Sequence, residues 1–143
     1  MIISISEKEF RIHWIEFLDK KKNMVMPGGH FTKVFYSTPH YTMNGLYILF
    51  PFQTSGTAID TAFYQLIANI EKQILFAYIQ QLNSEKTYTE ISRLADFLKQ
   101  KYKLINTDYC SLKNRNIGTT NYIKISGVWE DSNQNVGISF KLL

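Results

Sequence analysis

The sequence predicts an α+β protein in which strands stand on either side of a helical block. Three observations carry this. Residues 122–142 (YIKISGVWEDSNQNVGISFKL) read as two strands about a turn, and residues 31–52 hold two more β-rich runs. Between these groups, residues 57–103 carry apolar side chains at helical spacing. Strands grouped before and after helices indicate an antiparallel sheet or a small barrel, not alternating βαβ units. With 143 residues the chain is long enough for one domain with a real core and too short for two, so 1–143 is read as a single domain.

The closing stretch is the clearest. Val136, Ile138, Phe140 and Leu142 alternate with Gly137, Ser139 and Lys141, a period of two with one apolar face. Ile123 and Ile125 alternate with Tyr122, Lys124 and Ser126, and the phase changes at Gly127, because Val128 and Trp129 are consecutive bulky residues. A glycine inside a strand pattern marks a bulge or a close backbone approach. The intervening EDSNQN is a turn longer than two residues.

At the start, Ser6-Glu7-Lys8-Glu9 matches a capping box, and Phe10, Trp14, Phe17 and Leu18 follow at helical spacing. The spacing predicts a helix over 7–20, with Lys20, Lys21 and Lys22 at its negative end. Strands over 2–5 and 10–15 are the alternative. Pro27-Gly28-Gly29 breaks the chain. FTKVFYS (31–37) and NGLYILFPF (44–52), separated by TPHYTM, then predict a second hairpin. Leu46, Ile48 and Phe50 share one face and Tyr47 and Leu49 the other, so the later strand is expected to be central.

Ile59, Ala62, Phe63, Leu66, Ile67, Ile70, Ile74, Ala77 and Tyr78 form a broad apolar stripe. It predicts a helix over 57–82, about 39 Å long, with Thr57 and Asp60 as a weak capping pair. Ile91, Leu94, Ala95, Leu98 and Tyr102 predict a second helix over 89–103, with Thr87 or Thr89 near its start. Residues 104–110 read as a short strand, and 113–118 (KNRNIG) as a polar basic loop.

Composition narrows the function classes. Hydrophobic residues make up 45% and charged residues 20%, as in an ordinary globular protein. No apolar run approaches the roughly 18 residues of a membrane helix, and the charges at Glu7, Lys8, Glu9 and Arg11 interrupt any signal-peptide core. The expectation is a protein of a reducing, cytoplasmic compartment with no membrane partner; a lone Cys110 fits this. The net charge is +4, and it is uneven. Residues 99–143 hold seven cations (99, 101, 103, 113, 115, 124, 141) against three acids (108, 130, 131), so the whole excess lies there. A localised basic excess favours an acidic partner.

Motifs for catalysis are missing: there is no P-loop, G-x-G-x-x-G, H-E-x-x-H or G-x-S-x-G. His13, His30 and His40 are scattered, and with Cys110 they lack metal-ligand spacing. No cofactor and no enzymatic activity is expected. What remains is aromatic and basic residues on strands, the combination that binds single-stranded nucleic acid by base stacking and phosphate neutralisation. The candidate rings are Phe35 or Tyr36, Tyr41, Tyr47, Tyr122 and Trp129; the candidate cations are Lys33, Lys113, Arg115, Lys124 and Lys141. Aromatic residues are also the normal filling of a sheet, and edge lysines commonly block strand addition.

The layout resembles the single-stranded DNA-binding proteins of phages and large DNA viruses, whose OB-fold carries a helix between early and late strands. The matching segments are FTKVFYSTPHYTMNGLYILFPF, TAIDTAFYQLIANIEKQILFAYIQQL and NYIKISGVWEDSNQNVGISFKLL, about half of the chain. The resemblance implies a small antiparallel OB-like barrel with a long inserted helix, a role in DNA replication, and binding of single-stranded DNA or RNA. A second copy of the chain and replication proteins are further candidate partners. The family often ends in a flexible acidic tail that recruits replication enzymes; here residues 141–143 are Lys-Leu-Leu, so that recruitment is not implied. The second helix is also additional. The rival reading is a viral or plasmid-encoded protein-interaction module. A basic groove across one sheet face would favour nucleic acid; dispersed lysines beside a large apolar patch would favour a protein partner.

Overall fold

The computed structural model describes residues 4–22, 28–50, 58–105 and 121–143, with only the backbone of Asn121. In order, the described elements are a 3₁₀ turn (Ile12–Trp14), β1 (Ile15–Phe17), β2 (Lys21–Lys22), β3 (His30–Ser37), β4 (Thr42–Asn44), β5 (Leu46–Phe50), β6 (Ala58–Asp60), α1 (Thr61–Leu82), β7 (Thr89–Ile91), α2 (Arg93–Lys101), β8 (Lys103–Ile105), β9 (Asn121–Glu130) and β10 (Asn135–Leu142). The class is α+β, as the grouping of strands and helices predicts.

The closing hairpin forms as expected and is the centre of the sheet. β9 and β10 pair antiparallel from Val136↔Glu130 to Leu142↔Ile123. The register shifts between Ser139↔Gly127 and Phe140↔Ile125, so Ser126 is the extra residue of a bulge. Gly127 also meets the predicted close approach: a Cβ there would collide with the Thr32 carbonyl oxygen and lie 2.7 Å from Phe31 Cζ. Both readings of that glycine hold.

The other edge of β9 is shared. Its later half pairs with β3 (His30↔Glu130 to Lys33↔Gly127), and its earlier half with β5 (Leu46↔Ile125 to Phe50↔Asn121). The predicted early hairpin is therefore only partly realised. β3 and β4 pair through Tyr36↔Met43 and Ser37↔Thr42, and the chain then swings at Gly45 to lay β5 along β9. Gly45 has φ +93, a left-handed value that glycine adopts at no steric cost.

Among the described residues the expected closed barrel is not formed. The main sheet is open, running β1-β3-β9-β10-β7, with β2, β4 and β5 as side branches, and β6–β8 is a separate parallel pair. β7 pairs parallel to β10 over three residues and leads straight into α2, which ends the sheet. No described pairing joins β7 to β1 or β2.

The predicted helix 7–20 is also absent. Only half of its capping box forms: the Ser6 amide donates to Glu9 Oε1 at 3.2 Å, but the Ser6 hydroxyl accepts from the Lys8 amide at 3.2 Å, while the Glu9 amide donates to the Ser6 carbonyl at 2.9 Å. The chain then extends at Arg11 (φ −134, ψ 124), and Ile15–Phe17 pairs with the edge of β3. A row of ladder bonds and the burial of Phe10 against Tyr36 outweigh the local helical signal. The alternative, a strand in this region, is nearer, though it falls at 15–17.

The long helix starts at Thr61, with Ala58–Asp60 a strand before it, and Asp60 is its N-cap, accepting from the Ala62 amide. It ends as predicted at Leu82, with Asn83 left-handed (φ 48). The second helix is shorter than expected, 93–101, because 89–91 join the sheet. Both helices cover one face of the sheet, where Val34, Leu46, Ile48, Phe50, Ile123, Ile125, Val128, Val136 and Ile138 meet Phe63, Ile67, Ile70, Ile74, Leu94 and Leu98. Within the described residues no helix is long and apolar enough to cross a membrane.

Candidate nucleic-acid interface

Alternation along the strands sorts the aromatic and basic residues between two faces. On β3, Thr32, Val34 and Tyr36 are buried, whereas Phe31 and Phe35 are half-buried and Lys33 is exposed. On β5, Tyr47 and Leu49 alternate with the buried Leu46, Ile48 and Phe50 and are half-buried, Tyr47 still packing against the edge of the core. On β9, Tyr122 and Lys124 alternate in the same way with Ile123 and Ile125. The residues of this second face are half-buried or exposed, apart from the buried Gly127, Trp129 and Gly137.

Pairing fixes the neighbours on it. Lys124 stands directly between Tyr47 of β5 and Lys141 of β10. Its Nζ lies 5.5 Å from the Tyr47 ring centroid, within cation–π range. Tyr122 occupies the next row, between Leu49 and Leu143, and exchanges two backbone hydrogen bonds with Leu143 (3.0 and 2.8 Å). Lys33 is level with Gly127 and Ser139, and Phe31 with Lys21 and Trp129. Tyr47, Tyr122, Lys33, Lys124 and Lys141 thus share one face, joined by Phe31, Phe35 and Lys21.

Other candidates sit elsewhere. Tyr36 is a core residue, 2% exposed, its ring stacked on Phe10 at 5.9 Å and its hydroxyl accepting from the Arg11 amide at 3.0 Å. Burial raises its phenol above the usual tyrosine value, with the Arg11 hydrogen bond acting against it. Of the pair Phe35 or Tyr36, the open face takes Phe35. Tyr41 lies in the turn after β3, its carbonyl accepting from the Thr38 amide. Lys113 and Arg115 lie outside the described residues, as does Cys110.

Trp129 is on the open face but is not an open platform. Its indole fills the space above Gly137, where a Cβ would collide with Cζ2, and the Arg93 guanidinium lies 4.9 Å over its ring. The small Gly137 therefore leaves no open space for a base, whereas Ser139 remains half-exposed.

Three face residues escape the sequence reading. Phe31 could have been found, since it alternates with Lys33 and Phe35. Lys21 belongs to a run that a helix reading assigns to a C-terminus. Arg93 reaches the face from the first turn of α2 and leaves no pattern.

A separate polar cluster lies in the core. Tyr78 of α1 donates to Glu130 Oε1 at 2.9 Å and lies 3.3 Å from the Thr32 hydroxyl, and Lys20 Nζ approaches the same Glu130 oxygen at 3.5 Å. Burial, then the Glu130 carboxylate, holds the Tyr78 phenol protonated far above its ordinary range. The cluster ties α1 to β3 and β9. Among the described residues no three His, Cys, Asp or Glu side chains gather as a metal site. Compared with known proteins, the chain matches no family model, and neither a curated protein nor a solved structure is significantly similar to it.

Proposed function

We propose that the protein binds single-stranded nucleic acid, DNA or RNA, on the open sheet face, without strong sequence preference. The observation that carries this reading is the cross-strand row Tyr47–Lys124–Lys141. Like charges directly opposite each other on a sheet are destabilising. Neither lysine has a carboxylate partner among the described residues. A polyanion laid across the row would remove that repulsion, and Tyr47 and Tyr122 would stack bases, each stack contributing roughly 1–3 kcal/mol. The rival, a protein-interaction module, has less support, because the exposed large apolar residues Leu18, Phe76 and Leu143 belong to different parts of the fold.

The test is a fluorescence-anisotropy titration with a labelled dT oligomer at low salt. Log affinity should fall linearly with log salt, with a slope of about −0.7 per phosphate contacted. Tyr122→Ala should weaken binding by roughly 1–3 kcal/mol at every salt concentration. Lys124→Ala should weaken it mainly at low salt and flatten the slope. A parent protein that fails to bind at about 50 mM salt, a regime in which phosphate contacts are strong, would sink the proposal.

A further inference from the structure

A cleft of about 490 Å³ opens where the chain bends between β1 and β2, lined by Phe17, Leu18, Asp19, Lys21, Phe31 and Lys33. Its volume falls in the range of about 300–1,000 Å³ usual for small-ligand sites. The bend is held at one end by the Leu18 amide, which donates to the Lys33 carbonyl at 2.9 Å. Phe17 backs onto the buried Tyr78 ring at 5.5 Å, so its wall is fixed from beneath. Phe31 is set over Gly127. Two cations and one carboxylate stand at the rim, and none of the three has an ion-pair partner among the described residues.

We propose that this cleft takes one nucleotide of the bound strand and favours a base carrying an exocyclic amino group over thymine or uracil. The assignment rests on the reading of the sheet face as a single-strand site, with which the cleft is continuous through Phe31 and Lys33. Phe31 supplies a ring for the base, and Lys21 and Lys33 supply charge for the flanking phosphates. The Asp19 carboxylate accepts hydrogen bonds and donates none, so it suits the amino group of cytosine, adenine or guanine. Thymine presents a carbonyl at the same position of its ring and meets like polarity there.

Cytosine and thymine have the same ring size, so they isolate the amino group. Labelled dC and dT oligomers of equal length are titrated with the full chain at neutral pH. The parent should bind dC at least about fivefold tighter, the low end for one well-placed base contact. Asp19→Ala, at an exposed position, should bring the ratio close to one while dT affinity holds or rises. Lys33→Ala should weaken both oligomers and keep the ratio. Equal parent affinities, or a dC preference that survives Asp19→Ala, would overturn the cleft assignment. If dT binds and Lys124→Ala weakens it while dC and dT remain equal, only the cleft assignment fails. If neither oligomer binds, the sheet-face reading fails and takes the cleft with it. The parent ratio is a test in itself should a variant misfold.

Discussion

Glu71 shows how one residue joins two elements. It lies on the buried face of α1, 1% exposed, and its two oxygens accept from the Leu94 and Ala95 amides of α2 at 2.8 and 3.0 Å. Those amides belong to the first turn of a helix, where donors lack partners within the helix. Ser92, the N-cap, supplies no side-chain bond, so Glu71 does the capping from a neighbouring helix. Glu71→Gln keeps the size but presents an amino group to one amide, and should cost roughly 1–3 kcal/mol in urea unfolding. Burial raises the Glu71 carboxyl above the ordinary glutamate range, against the pull of the two amides, with Asp96 and Glu90 adding to it. The folded protein therefore holds this proton more tightly than the unfolded chain does. The group's contribution is full below the ordinary glutamate range and declines as pH rises through the raised value. The gap between parent and Glu71→Gln should narrow from acid toward neutral pH, and a gap that widens would refute this account. A lone carboxylate between Ile67, Ile70 and Ile74 is visible in the sequence, but its partners, 23 and 24 residues away, are not.

At the scale of elements, period two was a better guide than period 3.6. The closing hairpin keeps its predicted strands, its bulge and its two faces, because one face is buried and a slip by one residue would turn it outward. The stripe on α1 is right in outline but rotated. Phe63, Ile67, Ile70, Glu71, Ile74, Leu75 and Tyr78 are buried, while Leu66 is only half-buried and Ala62 is exposed. Ile70→Ala should cost roughly 2–5 kcal/mol, as large-to-small changes in a core do. Leu66→Ala should cost markedly less, and equal losses in denaturant melts would contradict the orientation. The helix expected over 7–20 fails because edge pairing with β3 competes for the same residues, and nothing local to that segment reveals the partner. Of the candidate site, the rings and lysines on β5, β9 and the outward face of β3 were legible by alternation. The displacement of Trp129 was not, because it depends on Arg93 and Gly137 arriving from other elements.

Across the whole molecule, the two faces of the sheet divide the work. One is closed by α1 and α2, and the other carries lysines that no described carboxylate neutralises. If the open face holds the strand, a bound dT oligomer should protect Lys21, Lys33, Lys124 and Lys141 from amine acetylation. Lys72, Lys86 and Lys99, exposed on or between the helices, should label equally with and without it. Mass-spectrometric footprinting reads both sets at once, and protection confined to the helix lysines would move the interface to the opposite face. The open sheet was not legible from the sequence. An antiparallel set of short strands suits a barrel or an open sheet equally, and the choice is made by the three-residue β7 and by β9 dividing one edge between two partners.

That divided edge also sets an order of events during synthesis. β3 and β5 are made early, yet the strand that joins them, β9, lies some 70 to 100 residues further along the chain, a separation typical of slow, non-local pairing. Until the ribosome has passed residue 130, the apolar sides of both early strands lack the neighbour that completes their ladder. A nascent chain arrested before residue 121 should therefore be open to protease and bound by chaperones, and protection should arrive abruptly once β9 emerges.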